Sequence, residues 1–177
     1  MKKLILLLLL LTGCNTLDIS NTPTKKAETF LNNYQILTED VINDLDNVIE
    51  EKYNFDDDLK KEYKELIKEQ YKNMQYEIKE EKIDGNTATV TAEIIVKDYT
   101  KIINEAELYK QENIQEFYEN NSYSENKYRK YLLEQLKKSK DKITYTIELN
   151  LTKENKTWIL NTIDEETEDK ILGIYKY

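Results

Sequence analysis

The chain has no histidine, and one cysteine, one proline and three glycines are few for 177 residues. Each shortage removes a class of chemistry. Histidine is the commonest metal ligand and the usual acid–base group near neutral pH. Without it, and with a lone cysteine, zinc sites and Ser-His or Cys-His nucleophiles are excluded. Any catalysis would rest on carboxylates, tyrosine, lysine or serine. One thiol allows no disulfide within the chain, and the glycines form no phosphate-cradling loop. No apolar run reaches the roughly 20 residues that a spanning helix needs. The longest, Leu4–Leu11, stops at Thr12.

Acid is plentiful: 35 Asp and Glu against 26 Lys and Arg give a net charge of -9. Such a surface repels nucleic acid and anionic lipid headgroups, so neither is an expected partner. Fourteen tyrosines are the other compositional excess. Exposed, they would suit glycan or peptide recognition. Yet Tyr34, Tyr63, Tyr71, Tyr76, Tyr131 and Tyr145 all fall on apolar stripes, which predicts core or core-edge positions. Asp56-Asp57-Asp58 lacks the alternating ligands, turn glycine and distal glutamate of a calcium loop, so it reads as a helix cap. Glu165-Glu166 with Glu168-Asp169 reads as a helix start or solvated face.

The N-terminus has three parts: Lys2 and Lys3, the apolar run Leu4–Leu11, and Leu11-Thr12-Gly13-Cys14. That is the form of a secretion signal, and the last four residues resemble the lipobox of bacterial lipoproteins. The resemblance implies that diacylglycerol is attached to Cys14, that the Gly13–Cys14 bond is cut, and that Cys14 becomes the mature N-terminus. Residues 1–13 are then a signal peptide and residues 14–21 a lipid-anchored tether. The implied address is the outer face of the cell membrane, with two acyl chains sufficing for stable anchorage.

Beyond the tether, Thr22-Pro23-Thr24 signals a helix start. Ala27, Phe30, Leu31, Tyr34, Leu37, Val41, Leu45 and Val48 continue one helical stripe, with a break expected near Thr38. Leu59, Tyr63, Leu66, Ile67 and Tyr71 form a second stripe. The period then becomes two: Met74, Tyr76 and Ile78 lead to an Asp84-Gly85-Asn86 turn, and Ala88, Val90, Ala92, Ile94 and Val96 return. Tyr99–Glu119 is again helical in pattern, and Ser122 with Glu125 suggests a capping box for a helix bearing Tyr128, Tyr131, Leu132 and Leu136. Ile143, Tyr145, Ile147, Leu149 and Leu151 alternate along the clearest strand. Glu154-Asn155 is the expected turn before a strand carrying Trp158, Ile159, Leu160 and Ile163, and Asp164–Leu172 reads as a short helix.

Three segments, Pro23–Tyr34, Gly85–Val96 and Lys153–Ile159, resemble the NTF2-like superfamily, in particular small lipoproteins that carry such a domain behind a lipobox. For residues 22–177 the resemblance implies an α+β NTF2-like cone. Its N-terminal helices would pack on a curved antiparallel sheet of about four strands, with a helical insertion over Tyr99–Lys140 and a short C-terminal helix. This shell hosts binders, isomerases, dehydratases and scaffolds, so it assigns no reaction. The favoured expectation is a non-catalytic module, without a cofactor, binding a small-molecule ligand or an envelope protein. The alternatives are a pocket enzyme and a structural docking subunit. An isomerase-like mechanism would draw on Tyr76 or Tyr145 as donor and on Glu93 or Glu148 as base. Both glutamates, however, face away from the apolar rows.

Overall fold

The computed structural model describes residues 21–52 and 56–176. Helix α1 (Pro23–Ile36) starts where the sequence places it: the Thr22 side chain accepts from the Lys25 N–H, and Pro23 occupies the first turn. The apolar stripe does not continue unbroken. Leu37 takes a left-handed φ of 53° and closes α1 with its N–H on the Tyr34 carbonyl, so the chain turns before α2 (Glu39–Lys52). Leu31 of α1 and Val41, Leu45 and Ile49 of α2 are buried.

Helix α3 (Asp57–Asn73) is capped by Asp56, whose Oδ1 accepts from the Leu59 N–H at 2.9 Å. The acidic triplet is therefore a helix start, worth about 1 kcal/mol at the cap. Strands β1 (Gln75–Asp84) and β2 (Thr87–Lys97) form a hairpin about Gly85-Asn86, with Gly85 at φ 58°. Ala88, Val90, Ala92, Ile94 and Val96 are all buried on one face of β2.

Asp98 caps α4 (Tyr99–Glu112), which is followed by a 3-10 turn (Ile114–Phe117). Two-residue strands β3 (Tyr118–Glu119) and β4 (Ser122–Tyr123) pair across Asn120-Asn121, both left-handed. The expected capping box is corrected here. Ser122 lies in β4, and it is Ser124 whose Oγ accepts from the Lys127 N–H to start α5 (Glu125–Lys138). Strand β5 (Lys142–Glu154) turns into β6 (Thr157–Leu160) through Asn155-Lys156, at φ 47° and 72°. The Glu154↔Thr157 pairing moves the turn one residue beyond the expected Glu154-Asn155, and β6 ends at Leu160, so Ile163 lies beyond the strand rather than on it. Asp164 caps α6 (Glu165–Leu172), and Gly173 ends it at φ 75°.

The result is a mixed α+β fold. Six α-helices and a four-stranded antiparallel sheet of order β1-β2-β5-β6 are present among the described residues. Helices α1, α3 and α6 lie against the sheet face that carries Ile94, Ile147, Leu149 and Trp158. Helices α4 and α5 pair with each other, and a small separate cluster of Ala106, Phe117 and Tyr128 joins them to the 3-10 turn. The proposed signal peptide, the cleavage site Gly13–Cys14 and the tether up to residue 20 lie outside the described residues. Asn21, the last residue of the expected tether, is described and bonds to the β5–β6 hairpin. Its Nδ2 donates to the Lys156 carbonyl at 2.8 Å, and its Oδ1 accepts from the Trp158 N–H at 3.0 Å.

Candidate functional site

Aromatic residues one helical turn apart share a helix face, and α1 uses this to set Phe30 beside Tyr34. Their rings meet edge to face with centroids 5.3 Å apart, and Tyr34 meets Tyr71 of α3 in the same way at 4.9 Å. Tyr63 of α3 extends this aromatic row along a cavity of about 690 Å³. One wall is α2, with Val41, Leu45 and Val48. The lining also includes Leu160, the last residue of β6, Asn161, Thr162 and Ile163 just beyond it, and Ile171 and Leu172 of α6. The break at Leu37 is what makes this space, because it swings α2 off the line of α1.

Four carboxylates line the same cavity: Asp44 from α2 and Glu165, Glu168 and Asp169 from α6. Among the described residues no lysine or arginine does. Burial, helped by Glu168 and Asp44, pushes the Tyr34 hydroxyl up to about 12. A tyrosine that feels two carboxylates from different helices marks the interior as electronegative.

A second, smaller cavity of about 240 Å³ lies between α3, α4 and α5, and Tyr63 and Ile174 line both spaces. It is largely apolar, with Leu59, Ile103, Leu132, Leu133 and Leu136, and its polar lining is Tyr63, Tyr99, Tyr128, Glu107, Glu125 and Arg129. Tyr99 is 1% exposed, its hydroxyl has no hydrogen-bond partner among the described residues, and burial raises its ionisation well above the usual range. The Tyr128 hydroxyl donates to Glu107, which also pairs with Lys110. Burial alone would raise the Glu107 carboxyl, but the hydrogen bonds from Lys110 and Tyr128 outweigh it and hold the group below its ordinary value. Such a carboxylate is a weak proton acceptor.

The groups named from sequence for acid–base work sit elsewhere. Tyr76 and Tyr145 both flank Ile94 across the sheet. The Tyr76 hydroxyl donates to the Glu28 carbonyl at 3.4 Å, while Tyr145 is buried against Tyr175. Glu93 is on the opposite sheet face, paired with Lys79 at 2.8 Å, and Glu148 is exposed on that same face. None of the four lines either cavity. The tyrosine stripes hold as core and core edge: Tyr71 and Tyr145 are buried, and Tyr34, Tyr63, Tyr76 and Tyr131 are half-buried.

Compared with known families, with curated proteins and with solved structures, the chain finds no match. Its function must be argued from its own residues. Among the described residues no helix is long and apolar enough to cross a membrane. Within the helical insertion Leu108, Ile114 and Tyr123 are exposed, but most of its apolar side chains face the second cavity and the cluster around Phe117. The larger cavity gathers residues from four helices and the end of the sheet. Sequence reasoning did not assemble it, and the only signals it left were the Phe30–Tyr34 spacing and the left-over acids of α6.

Proposed function

We propose that this is a lipid-anchored, extracytoplasmic binding domain of NTF2-like architecture that holds a small-molecule ligand and performs no chemistry on it. The observation that carries the reading is the aromatic-lined cavity between α1, α2, α3 and α6. Its volume, about 690 Å³, lies within the few hundred to a thousand Å³ typical of ligand sites. The NTF2-like assignment draws support from the element order: helices, a β1–β2 hairpin, a helical insertion, then a β5–β6 hairpin, all antiparallel. The anchor rests on the run Leu11-Thr12-Gly13-Cys14. Asn21, bonded to the β5–β6 turn, gives that anchor a fixed point of departure from the domain.

Two measurements test this. Cells fed labelled palmitate should modify the wild-type chain and leave Cys14→Ser unlabelled; equal labelling of both would remove the anchor. Small organic molecules should raise the thermal midpoint of the full-length protein, and Val48→Trp, which fills the cavity from α2, should abolish the shift. Stabilisation that persists in Val48→Trp would place binding elsewhere.

A second reading, the pocket enzyme, draws on Glu107, Tyr128 and Tyr99 in the smaller cavity, which bring a carboxylate and two hydroxyls to one apolar space. The depressed Glu107 carboxyl argues against it as a base. Turnover of an enolisable ketone that disappears in Glu107→Gln would restore it.

A further inference from the structure

Some acids on the helices around the larger cavity find lysines. On α2, Asp46 pairs with Lys64 at 2.6 Å and Glu50 with Lys60 at 2.7 Å, both reaching across to α3. On α6, Glu166 pairs with Lys170 at 2.6 Å, one turn on. Three of the four acids that line the larger cavity do not. Asp44, Glu165 and Glu168 form no ion pair or side-chain hydrogen bond with any described residue.

The dipole of α6 explains part of this, since Glu165 and Glu168 lie in its first turn. It does not explain Asp44. That residue lies beyond the first-turn acids of α2, Glu39 and Asp40. Two helices far apart in sequence therefore bring unneutralised carboxylates to one mouth, above a wall of Phe30, Tyr34 and Tyr63. Carboxylates and aromatic rings together attract one class of group. An ammonium is drawn by the ring quadrupole and by the negative charge alike, and an anion is repelled by both.

We propose, resting on the reading of this cavity as a ligand site, that its occupant is a small organic cation: an ammonium group carried on an apolar body. The apolar part lies against Leu45, Val48 and Ile171, and the charge sits between Asp44 and Glu168. The ligand is a free solute rather than a phospholipid headgroup, because the phosphate of a headgroup would lie among the same carboxylates.

The test is calorimetric titration of the full-length lipidated protein, in a non-ionic detergent, with benzyltrimethylammonium, benzyl alcohol and phenylacetate. These share one ring and differ in charge. The cation should bind at least about tenfold more tightly than the alcohol, and phenylacetate more weakly than either. Asp44→Asn combined with Glu168→Gln should remove about a tenfold share of the cation affinity and leave benzyl alcohol unchanged. Glu77→Gln, an exposed acid of β1 already paired with Lys79, should change nothing. Raising the salt should weaken the cation alone. If cation and alcohol bind equally, or if the double variant keeps its preference for the cation, the cationic ligand is wrong while the cavity remains a binding site. If none of the three binds, both readings fall.

Discussion

Gln70 holds Lys97 by both ends of its side-chain amide. The Lys97 N–H donates to Gln70 Oε1 at 3.1 Å, and Gln70 Nε2 donates to the Lys97 carbonyl at 3.2 Å. The same Nε2 also donates to the Leu172 carbonyl at 3.1 Å. Gln70 is 1% exposed, so one buried amide ties α3 to the end of β2 and the end of α6. That junction holds α6, and with it one wall of the larger cavity, in place.

Gln70→Leu keeps the volume and removes all three bonds. Stranding buried backbone groups costs about 1–3 kcal/mol each before relaxation. The expected loss is about 3 kcal/mol, which lowers the thermal midpoint by roughly 10 °C. Circular dichroism melting measures it, and a change under about 2 °C would show that the bonds are dispensable.

Gly173 sits in the same knot at φ 75°, and its carbonyl accepts from the Tyr99 and Thr100 N–H groups at 2.9 and 3.0 Å. A Cβ there would lie 2.2 Å from the Lys97 carbonyl oxygen and 2.7 Å from Gln70 Nε2. Backbone cannot yield as a flexible side chain can. Gly173→Ala should therefore cost about 3 kcal/mol or more in a denaturant titration, whereas Gly85→Ala, with open space around it, should cost about 1 kcal/mol for its positive φ.

The β5–β6 turn offers the opposite change. Lys156 is left-handed at φ 72°, where a two-residue hairpin favours glycine. Its side chain is exposed, and its carbonyl still accepts from Asn21 after substitution. Lys156→Gly should stabilise the domain by about 1 kcal/mol, seen as a higher melting midpoint. A lower midpoint would mean that the lysine side chain contributes to the fold.

Tyr34 links stability to pH at the alkaline end. Its folded value, about 12, exceeds the ordinary tyrosine value of roughly 10. The fold thus favours the neutral hydroxyl, and the associated stability is complete below about pH 10 and lost as pH rises towards 12. The difference in phenolate absorbance between the wild type and Tyr34→Phe should show a late-ionising group. Asp44→Asn with Glu168→Gln should move that ionisation to lower pH, because both carboxylates oppose the phenolate.

Much of the architecture could be read from period and punctuation. β2 and β5 bury alternate residues along their length, and Asp56 and Asp164 cap the helices they precede. Short-range competition hid other features. Ser122 and Ser124 both precede Glu125, and only three-dimensional pairing across Asn120-Asn121 assigns one to a strand and the other to the cap. In the β5–β6 turn, asparagine tolerates a left-handed conformation at either position, so sequence alone could not set the register. The site was hidden for a different reason. Asp44 and Glu168 each read as an ordinary solvated acid on its own helix, and only the fold, which sets α2 and α6 around one cavity beside Tyr34, places them at one mouth.

The most direct test of the cavity as the functional site is a methyl NMR titration of the full-length protein with benzyltrimethylammonium. The expected result is concentration-dependent shifts at Leu45, Val48, Ile163 and Ile171, which line the cavity, with the exposed Ile83 and Leu108 unmoved. Shifts centred on Ile83 or Leu108, or none at millimolar cation, would contradict it.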